Sequence, residues 1–429
     1  MDFKPEFSWQ FLPTEQITAK TIRALRNHIK HLKAASPFYR EVLYQIEPQD
    51  ISTLEDFAGI PFTDRQALSE NWSRFVSEDQ SGVAETVLTS GATGKPLPFF
   101  YTRNDLDRLA YGEALSLHCC GVELSDRAQI VLSMDRFCAA GLSFYRGMVL
   151  LGANVARAGM LTFEMQKGSF EMLRPTVLMG VASQMRKMGR DLLDKGYDPK
   201  QSSVKKLICT AESIYDQNLE LGAVARDLEN LWGAKVSSVY HNTEASASFS
   251  DCPVRKGLHC RPELVHVEII GPQGEILPEG VPGELVLTPL GSEALPLLRY
   301  RTGDITYIVP GNCECGRNSV RIGPVLGRKT QLINVNGNKI YPLNVMNALD
   351  SVEEVLDYVV ILENDNTVSD RVSVHVAAPA SAVEKIANQL RSMAKVSFPI
   401  LISNLTTIHS LRTGSRKKEH LIDWRHRNR

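Results

Sequence analysis

The sequence predicts an α/β protein that has a large N-terminal domain and a small α+β C-terminal domain. Between about residues 105 and 235, helical stretches alternate with short apolar strands, a pattern typical of helices packed on a sheet. Residues 264–308 instead contain short strands separated by Gly/Pro turns, which predicts a small antiparallel or barrel-like part. Near Gly327 a further unit of about 100 residues begins. We therefore divide the chain into residues 1–327 and 328–429.

Hydrophobic periodicity defines the elements within this outline. The region 16–45 is predicted to be helical with a break at Ser36-Pro37, because its apolar residues recur on one helical face. These residues are Ile22, Leu25, Ile29 and Leu32. Strands are predicted at 129–133, 153–156, 176–180 and 206–210, and in the barrel-like part at 265–270, 283–288 and 305–309. The C-terminal domain should contain strands at 356–362 and 371–376 and an amphipathic helix at 382–393.

The composition argues against several classes of protein. Of the 429 residues, 43% are hydrophobic and 23% are charged, and the net charge of −1 does not indicate nucleic acid or an anionic membrane as a partner. Apolar residues interrupt the basic segment 412–429, which favours a packed terminal segment over a nucleic-acid tail. The N-terminus is charged and no run of about eighteen apolar residues occurs, so we expect no signal peptide, no membrane span and a cytoplasmic location. The eight cysteines are then expected to be buried thiols or metal ligands rather than disulfides.

One segment has the composition of a phosphate-binding loop. Residues 89–96 contain three hydroxyl side chains, two glycines and one lysine, namely Thr89, Ser90, Gly91, Thr93, Gly94 and Lys95. Glycines let backbone N–H groups approach a phosphate closely, and hydroxyl and ammonium groups add further donors. Apolar runs on both sides predict a hairpin whose loop can wrap a triphosphate, and the proline after the lysine distinguishes it from a Walker A loop. The alternative is an ordinary Ser/Thr/Gly turn.

Four further segments follow the loop along the chain. They are Ala211-Glu212-Ser213, Tyr240-His241-Asn242-Thr243-Glu244, Tyr300-Arg301-Thr302-Gly303-Asp304 and Leu326-Gly327-Arg328. Together with residues 89–96, with Ser36-Pro37-Phe38-Tyr39-Arg40 and with Ile60-Pro61-Phe62-Thr63, they resemble the adenylate-forming (acyl-CoA synthetase) superfamily, and in particular its phenylacetate–CoA ligase branch. The resemblance covers essentially the whole chain. It implies the adenylate-forming enzyme fold, with residues 1–327 as the AMP-binding domain and residues 328–429 as the lid domain.

The resemblance implies a role for each segment. In the family a carboxylate attacks the α-phosphate of ATP and pyrophosphate leaves, so the protein mainly positions groups and stabilises charge. The loop 89–95 would hold the departing phosphates, Glu244 would hold Mg²⁺ through oxygen, and Thr243 would contact the α-phosphate. The residues that would border the base are Tyr240, Ala211, Glu212 and Ser213, with His241 and Asn242 beside the nucleotide. Asp304 would accept hydrogen bonds from the ribose hydroxyls, and Arg328 would support ribose or phosphate. Taken singly, turn or cap roles explain the same residues.

The family also has a lysine near the C-terminus of the lid that bridges the acyl carboxylate and the nucleotide during adenylation. It lies six residues before an aspartate, which here selects Lys417 ahead of Asp423. Lys418 remains a rival for this role. A solvated basic tail is the alternative to both lysines.

Cysteine and histidine residues predict a structural zinc site. Cys252 and His259 are separated by six residues, and Cys313 and Cys315 lie in one later loop. These two halves supply four ligands of the Cys₃His type for tetrahedral Zn²⁺, with no open position for catalysis. Some members of the phenylacetate–CoA ligase branch have similar pairs at these places. Cys260 is an alternative to His259, and unrelated thiols are the alternative to a metal site. The cysteines in apolar stretches are interpreted as core residues; they are Cys119, Cys120, Cys138 and Cys209.

Four positions depart from the family pattern. The hinge aspartate that usually follows the junction arginine is replaced by Thr330, which does not forbid a lid rotation. The segment 138–144, which would line the acyl pocket, differs from that of phenylacetate ligases. His241 replaces a glycine and could touch the acyl group, and Asp64-Arg65 stands where the family has a Lys-Asp pair.

Three hypotheses follow from these observations. The leading one is an ATP-dependent acid–CoA ligase that forms an acyl-adenylate and then a thioester from an aryl or arylacetic acid, using ATP, Mg²⁺ and CoA and carrying structural Zn²⁺. The second keeps adenylation but transfers the acyl group to a carrier protein, or releases an adenylated product as in the related deazaflavin-adenylating synthetases. The third is a non-catalytic nucleotide-binding homologue. The expected partners are small molecules, and a homodimer is left open.

Overall fold

A computed structural model describes residues 4–89, 96–134, 137, 139–159, 161–335, 338–364, 369–412 and 420–425. The helices are α1 (Thr14–Ala35), α2 (Pro37–Val42), α3 (Leu54–Ala58), α4 (Arg65–Glu70), α5 (Trp72–Phe75), α6 (Arg103–Cys119), α7 (Ala139–Leu151), α8 (Phe163–Leu173), α9 (Ala182–Asp194), α10 (Ala223–Trp232), α11 (Pro342–Asp350), α12 (Val383–Gln389) and α13 (Leu405–Leu411). A π-helical turn, Leu390–Ala394, continues α12. None of the described helices is long and apolar enough to cross a membrane.

The strands form five separate sheets. In chain order they are β1 (Val83–Leu88), β2 (Pro98–Thr102), β3 (Arg127–Ile130), β4 (Asn154–Arg157), β5 (Val177–Val181), β6 (Lys206–Thr210), β7 (Lys235–Asn242), β8 (Ala247–Ser250), β9 (Leu258–His259), β10 (Val265–Ile270), β11 (Gly283–Pro289), β12 (Tyr300–Thr306), β13 (Arg321–Ile322), β14 (Gly327–Arg328), β15 (Ile333–Val335), β16 (Asn338–Ile340), β17 (Asp357–Asn364), β18 (Asp370–Ala377), β19 (Ile400–Ile402) and β20 (Leu421–Asp423).

The largest sheet has eight strands in the order β13-β9-β8-β7-β6-β5-β3-β4. Its strands from β7 to β4 run parallel, whereas β8, β9 and β13 join by antiparallel pairing. Helices α8, α9 and α10 contribute to the apolar core on one face, and α6 and α7 to the core on the other. Because the carboxyl ends of parallel strands meet at one edge, Thr210 of β6 and Asn242 of β7 lie at the edge where such sheets bind ligands.

Two smaller sheets complete the N-terminal part. The strands β1 and β2 pair antiparallel, as predicted for the two apolar runs that flank the proposed phosphate-binding segment. The strands β10, β11, β12 and β14 form an antiparallel sheet, which confirms the predicted small β part. Strand β14 contains the predicted domain boundary and places Arg328 opposite Asp304. The exact division at residue 327 stays a prediction.

The C-terminal residues have a core of their own. The sheet β19-β18-β17-β20 and the helices α11 and α12 enclose an apolar cluster that runs from Ile333 to Leu421. A small junction cluster, Ile305, Leu326 and Leu343, joins this part to the antiparallel sheet. The strands predicted at 356–362 and 371–376 are confirmed as β17 and β18, and the helix predicted at 382–393 is confirmed as α12 with its π-helical turn.

Most of the other predicted elements are confirmed, with shifted ends. The break at Ser36-Pro37 is a second helix start, because the Ser36 hydroxyl accepts a hydrogen bond from the Tyr39 backbone N–H (3.4 Å) and caps α2. The strand predicted at 305–309 is wrong in its limits. Strand β12 begins at Tyr300, because Tyr300 and Arg301 pair with Leu287 and Val286 of β11.

The buried histidine of α1 makes the stability of this part depend on pH. His28 Nε2 donates to the carbonyl of Leu297 (2.9 Å), while Nδ1 is buried without a hydrogen-bond partner among the described residues. Burial lowers the pKa of His28 from 6.5 to about 4. The unfolded chain binds a proton on His28 at a higher pH than the folded chain does. The contribution of the neutral, buried His28 to the free energy of unfolding is therefore complete above pH 6.5 and is lost as the pH falls to about 4.

We expect the free energy of unfolding to fall by about 3 kcal/mol between pH 7 and pH 4 from His28 alone. In the variant His28→Gln, whose amide can still donate to the Leu297 carbonyl, this part of the pH dependence of the free energy of unfolding should disappear. Urea unfolding at several pH values measures the effect. Equal pH dependence in the two proteins would contradict the assignment.

Candidate active site and metal cluster

Three side chains from two sheets meet at the carboxyl edge of the large sheet. The Tyr240 hydroxyl, at the end of β7, donates a hydrogen bond to Asp304 Oδ2 on β12 (2.7 Å). Arg328 Nε on β14 lies 3.6 Å from the other oxygen, Oδ1. Burial and the neighbouring Asp304 carboxylate raise the pKa of Tyr240, so its hydroxyl stays protonated as a donor. The trio offers an aromatic face, a carboxylate and a cation within one small region.

Glu244 follows β7 and is almost buried. Its carboxylate Oε1 lies 3.4 Å from a guanidinium nitrogen of Arg65, and its side chain is 15% exposed. Burial raises the pKa of Glu244, whereas the charges of Arg65 and Arg328 lower it and that of Asp304 raises it. The charges of two members of the trio, Asp304 and Arg328, therefore act on Glu244. A largely desolvated carboxylate of this kind is suited to bind a cation.

The first residue of the predicted phosphate loop also lies here. Thr89 Oγ1 is 3.4 Å from the second terminal nitrogen of Arg65 and accepts a hydrogen bond from the Leu97 N–H (3.0 Å). The Tyr101 hydroxyl of β2 donates to the backbone carbonyl of Thr243 (3.3 Å), which joins the hairpin to the segment after β7. Of the predicted site residues, Ser90, Gly91, Thr93, Gly94, Lys95 and Lys417 lie outside the described residues, as do Lys418 and Cys138.

The segment after β6 connects the sheet edge to α9. Glu212 accepts hydrogen bonds from the backbone N–H and the hydroxyl of Ser183, at 2.8 and 2.7 Å. Ala211 has a positive φ of 68°, and the Ser213 hydroxyl donates to the Tyr215 carbonyl (2.9 Å). The carboxylate of Glu212 therefore holds the start of α9 against this edge, while the backbone of the segment turns sharply beside it.

His241 faces the opposite side of β7 from its neighbour Tyr240. Its Nε2 lies 3.3 Å from Oε1 of Glu113, a fully buried carboxylate on α6. Ser248 donates to the other oxygen of Glu113 (2.8 Å), and the Phe144 ring lies 5.8 Å from the imidazole ring, centre to centre. Asn242, next along the strand, accepts a hydrogen bond from the Ala245 N–H (2.8 Å) and stabilises the following turn. Sequence reasoning missed Glu113, whose helix carries no motif.

Cys252, His259, Cys313 and Cys315 come together at the other end of the large sheet. All four potential ligand atoms lie within 4.8 Å of one another. The sulfurs of Cys252 and Cys313 are 3.7 Å apart, and Cys315 Sγ lies 3.3 Å from His259 Nε2. Tetrahedral zinc would separate two sulfurs by about 3.8 Å and a sulfur from a nitrogen by about 3.6 Å. These two distances are therefore close to those of a shared Zn²⁺, and all four ligand atoms are close enough together to hold one metal ion.

The surroundings of the cluster also suit a metal. Burial, with three nearby arginines, lowers the pKa of His259 to about 2, so its imidazole is neutral and able to act as a ligand. The other ring nitrogen, Nδ1, lies 3.1 Å from the Ser319 hydroxyl, which can fix the ring orientation. Burial raises the pKa of Cys315, but hydrogen bonds from Arg317 and neighbouring thiols outweigh it and lower the pKa overall. Cys260 lies instead in an apolar cluster with Phe249.

Comparison with known proteins identifies the family of the chain. The model of the AMP-binding enzyme family matches residues 26–289, more than half of the chain. The chain therefore belongs to the AMP-binding enzyme family. It is 29% identical over 388 residues to a phenylacetate–coenzyme A ligase of Thermus thermophilus, an alignment that covers 88% of this chain and 85% of the relative.

Solved structures share the fold. The chain superposes with a TM-score of 0.84 on 2-hydroxyisobutyryl-CoA ligase in the postadenylation state with 2-HIB-AMP, at 20% identity and covering 96% of this chain and 90% of the other. On the same ligase with 2-HIB-AMP and CoA in the thioesterification state the TM-score is 0.70, at 19% identity and with 99% and 96% of the chains covered. The adenylate-forming fold predicted from the sequence is confirmed.

Proposed function

We propose that this protein is an ATP-dependent acid–CoA ligase that converts an aryl or arylacetic acid into an acyl-adenylate and then into a thioester. The observation that carries the proposal is that Arg65 joins Thr89 to Glu244, two residues from distant motifs, while the charge of Asp304 from a third motif acts on Glu244, in an AMP-binding enzyme. The phenylacetate–coenzyme A ligase of Thermus thermophilus, aligned over most of the chain, supports an acid and CoA as substrates. A cytoplasmic location, where both nucleotides are available, belongs to the same proposal.

Each group at the sheet edge has a task in this proposal. Asp304 accepts hydrogen bonds from the ribose hydroxyls, Arg328 supports the ribose–phosphate, and Tyr240 borders the adenine. The acid carboxylate forms a bond to the α-phosphorus, the bond from that phosphorus to the bridging oxygen breaks, and its electron pair leaves on pyrophosphate. Thr243 and residues 89–95 hold the phosphates in line for this displacement.

The residues present fit the two metals that the proposal includes. Glu244 is an almost buried carboxylate, the hard oxygen ligand that Mg²⁺ prefers, and bound Mg²⁺ would neutralise charge on the phosphates. Cys252, His259, Cys313 and Cys315 fit one structural Zn²⁺. All four of these positions are taken by the protein, so no reaction step is assigned to zinc.

The acyl group is proposed to lie against His241 and Phe144. The two rings pack near one another, which favours an aromatic substrate through stacking or edge contacts. The buried carboxylate of Glu113 lies 3.3 Å from the imidazole Nε2 and would favour a proton on that nitrogen. A histidine here, in place of the family glycine, reduces the space beside the nucleotide and restricts the shape of the acid.

Residues 328–429 are proposed to act as a lid that rotates near Thr330 between the two half-reactions. The chain superposes better on the postadenylation state of 2-hydroxyisobutyryl-CoA ligase than on its thioesterification state. The Arg425 guanidinium, from the C-terminal part, donates to the carbonyls of Thr330 and Leu332, so these residues would move with the lid. Formation of a thioester tests this step, since it requires the second half-reaction.

The proposal is tested by pyrophosphate release from ATP and Mg²⁺ with a panel of aryl, arylacetic and aliphatic acids, with and without CoA. Release with one aromatic class, together with a thioester seen by mass spectrometry only when CoA is present, is the expected result. Pyrophosphate release without a thioester would favour the second hypothesis, in which the acyl group goes to a carrier protein or the adenylate itself is the product. No release with any acid, combined with nucleotide binding, would favour the non-catalytic homologue.

Lys417 is proposed to bridge the acyl carboxylate and the nucleotide during adenylation. We expect Lys417→Ala to lower acid-dependent pyrophosphate release by about 100-fold, because an ammonium that stabilises developing charge is removed. Lys418→Ala is the matched control and should leave release nearly unchanged. The reverse pattern would assign the role to Lys418, and full activity of both variants would leave a solvated tail as the explanation.

A further inference from the structure

Arg65 lies between Thr89, the first residue of the predicted phosphate loop, and Glu244, the predicted magnesium ligand. It is the first residue of α4, and the N–H and the carbonyl of Thr63, two residues earlier, are both hydrogen-bonded to the backbone at the start of β12. The Thr63 N–H donates to the Arg299 carbonyl (3.1 Å), and the Arg301 N–H donates to the Thr63 carbonyl (2.8 Å). The Asp64 carboxylate accepts from the Ala67 N–H (2.8 Å) and caps the helix. The backbone that carries the Arg65 side chain is therefore held in place by hydrogen bonds.

The contacts of Arg65 join three parts of the site. Its two terminal nitrogens lie 3.4 Å from Glu244 Oε1 and 3.4 Å from Thr89 Oγ1, and its side chain also hydrogen-bonds Tyr300. The side chain keeps 23% of its surface exposed, so it is open to the space at the sheet edge. Distances of 3.4 Å are at the long end of the hydrogen-bond range, and such contacts exchange readily for shorter ones to an anion.

We propose that Arg65 binds the pyrophosphate half of ATP, and that it neutralises Glu244 until a magnesium–nucleotide complex arrives. This inference rests on the proposed adenylation. A buried carboxylate needs a cation beside it, and Arg65 supplies one when Mg²⁺ is absent. If Mg²⁺ were bound by Glu244, the guanidinium would be available to phosphate oxygens, to which it can donate two parallel N–H hydrogen bonds. As the bond to the bridging oxygen breaks, Arg65 stabilises the charge that develops on pyrophosphate.

Direct binding tests this inference without any acid substrate. Isothermal titration of magnesium pyrophosphate and of magnesium ATP compares the wild type with Arg65→Gln and Arg65→Lys. We expect Arg65→Gln to weaken the binding of both ligands by about 10- to 100-fold. Arg65→Lys should recover part of the affinity, because lysine keeps the charge but cannot donate two parallel N–H hydrogen bonds. The matched control is Arg74→Gln, an exposed arginine of α5 that pairs with Glu41, and it should bind both ligands like the wild type.

Steady-state kinetics separate this inference from the proposed function. In an active enzyme, Arg65→Gln should raise the KM for ATP and leave the KM for the acid unchanged. A wild type that binds nucleotide but never releases pyrophosphate would refute adenylation alone, whereas the Arg65 inference would stand if Arg65→Gln still weakens binding. Unchanged pyrophosphate affinity in Arg65→Gln would overturn the inference. An Arg65→Gln variant that loses affinity for ATP and for the acid to the same extent, and has a lowered Tm, would also overturn the inference in favour of a structural role.

Discussion

Replacing Glu244 by glutamine should lower acid-dependent pyrophosphate release by about 10³-fold and leave the protein folded. Glutamine keeps the shape of the side chain but has no charge to hold Mg²⁺ beside the phosphates. The fold should tolerate the change, because burial already raises the pKa of Glu244 and so opposes its charge. Initial rates at increasing Mg²⁺, together with thermal unfolding, measure the two effects separately.

A surface carboxylate provides the matched control for Glu244. Glu78 forms an exposed ion pair with Arg40 (2.7 Å), and Glu78→Gln should retain wild-type rates. A Glu244→Gln variant that remains fully active would remove this residue from the magnesium site. If the variant loses activity and its Tm falls by about 10 °C or more, its free energy of unfolding has dropped by several kcal/mol. The carboxylate would then support the fold instead of binding the metal.

The motif residues were predictable because each motif is local in sequence. A strand followed by Tyr240 to Glu244, or a hairpin around residues 90–95, can be recognised from a few neighbouring positions. The parallel order of β6 and β7 then places the ends of both strands at one edge. The pairing of Tyr240 with Asp304 required the structure, since β12 belongs to another sheet.

Arg65 and Glu113 could not be assigned from the sequence, because their partners are distant. Arg65 and Glu244 are 179 positions apart, and nothing near Arg65 shows that it faces a carboxylate. The sequence offered one signal, the replacement of a Lys-Asp pair by Asp64-Arg65, without a role for either residue. Glu113 lies inside a largely apolar part of α6, where a buried carboxylate is unexpected until His241 and Ser248 are found beside it.

The choice between His259 and Cys260 also needed three-dimensional information. Successive residues of an extended chain point to opposite faces, so only one of these two neighbours can face Cys252 and Cys313. The register of β9, in which His259 pairs with Arg321, turns the imidazole toward the cysteines. Cys260 then enters the apolar cluster. Sequence spacing alone cannot decide this, because it does not give the register.

Loss of the zinc ligands is expected to have the other large effect. The purified protein should contain about one zinc per chain, and Cys313→Ser should lose it and unfold at a Tm lower by about 5–10 °C. The reason is that the buried Cys252 and His259 and the partly exposed Cys315 would remain without the metal that holds their loops together. Metal analysis and calorimetry measure both quantities. A chelator that strips the wild type should reproduce the shift.

Cys260→Ala is the matched control, because it removes a buried thiol next to His259 without touching the cluster. It should keep its zinc and lose only the packing of one small side chain, about 1 kcal/mol. Zinc retained in Cys313→Ser would contradict the ligand set, and zinc lost in Cys260→Ala would favour Cys260 over His259. A wild type that is metal-free and fully stable would identify the four residues as thiols and an imidazole that pack together without a metal.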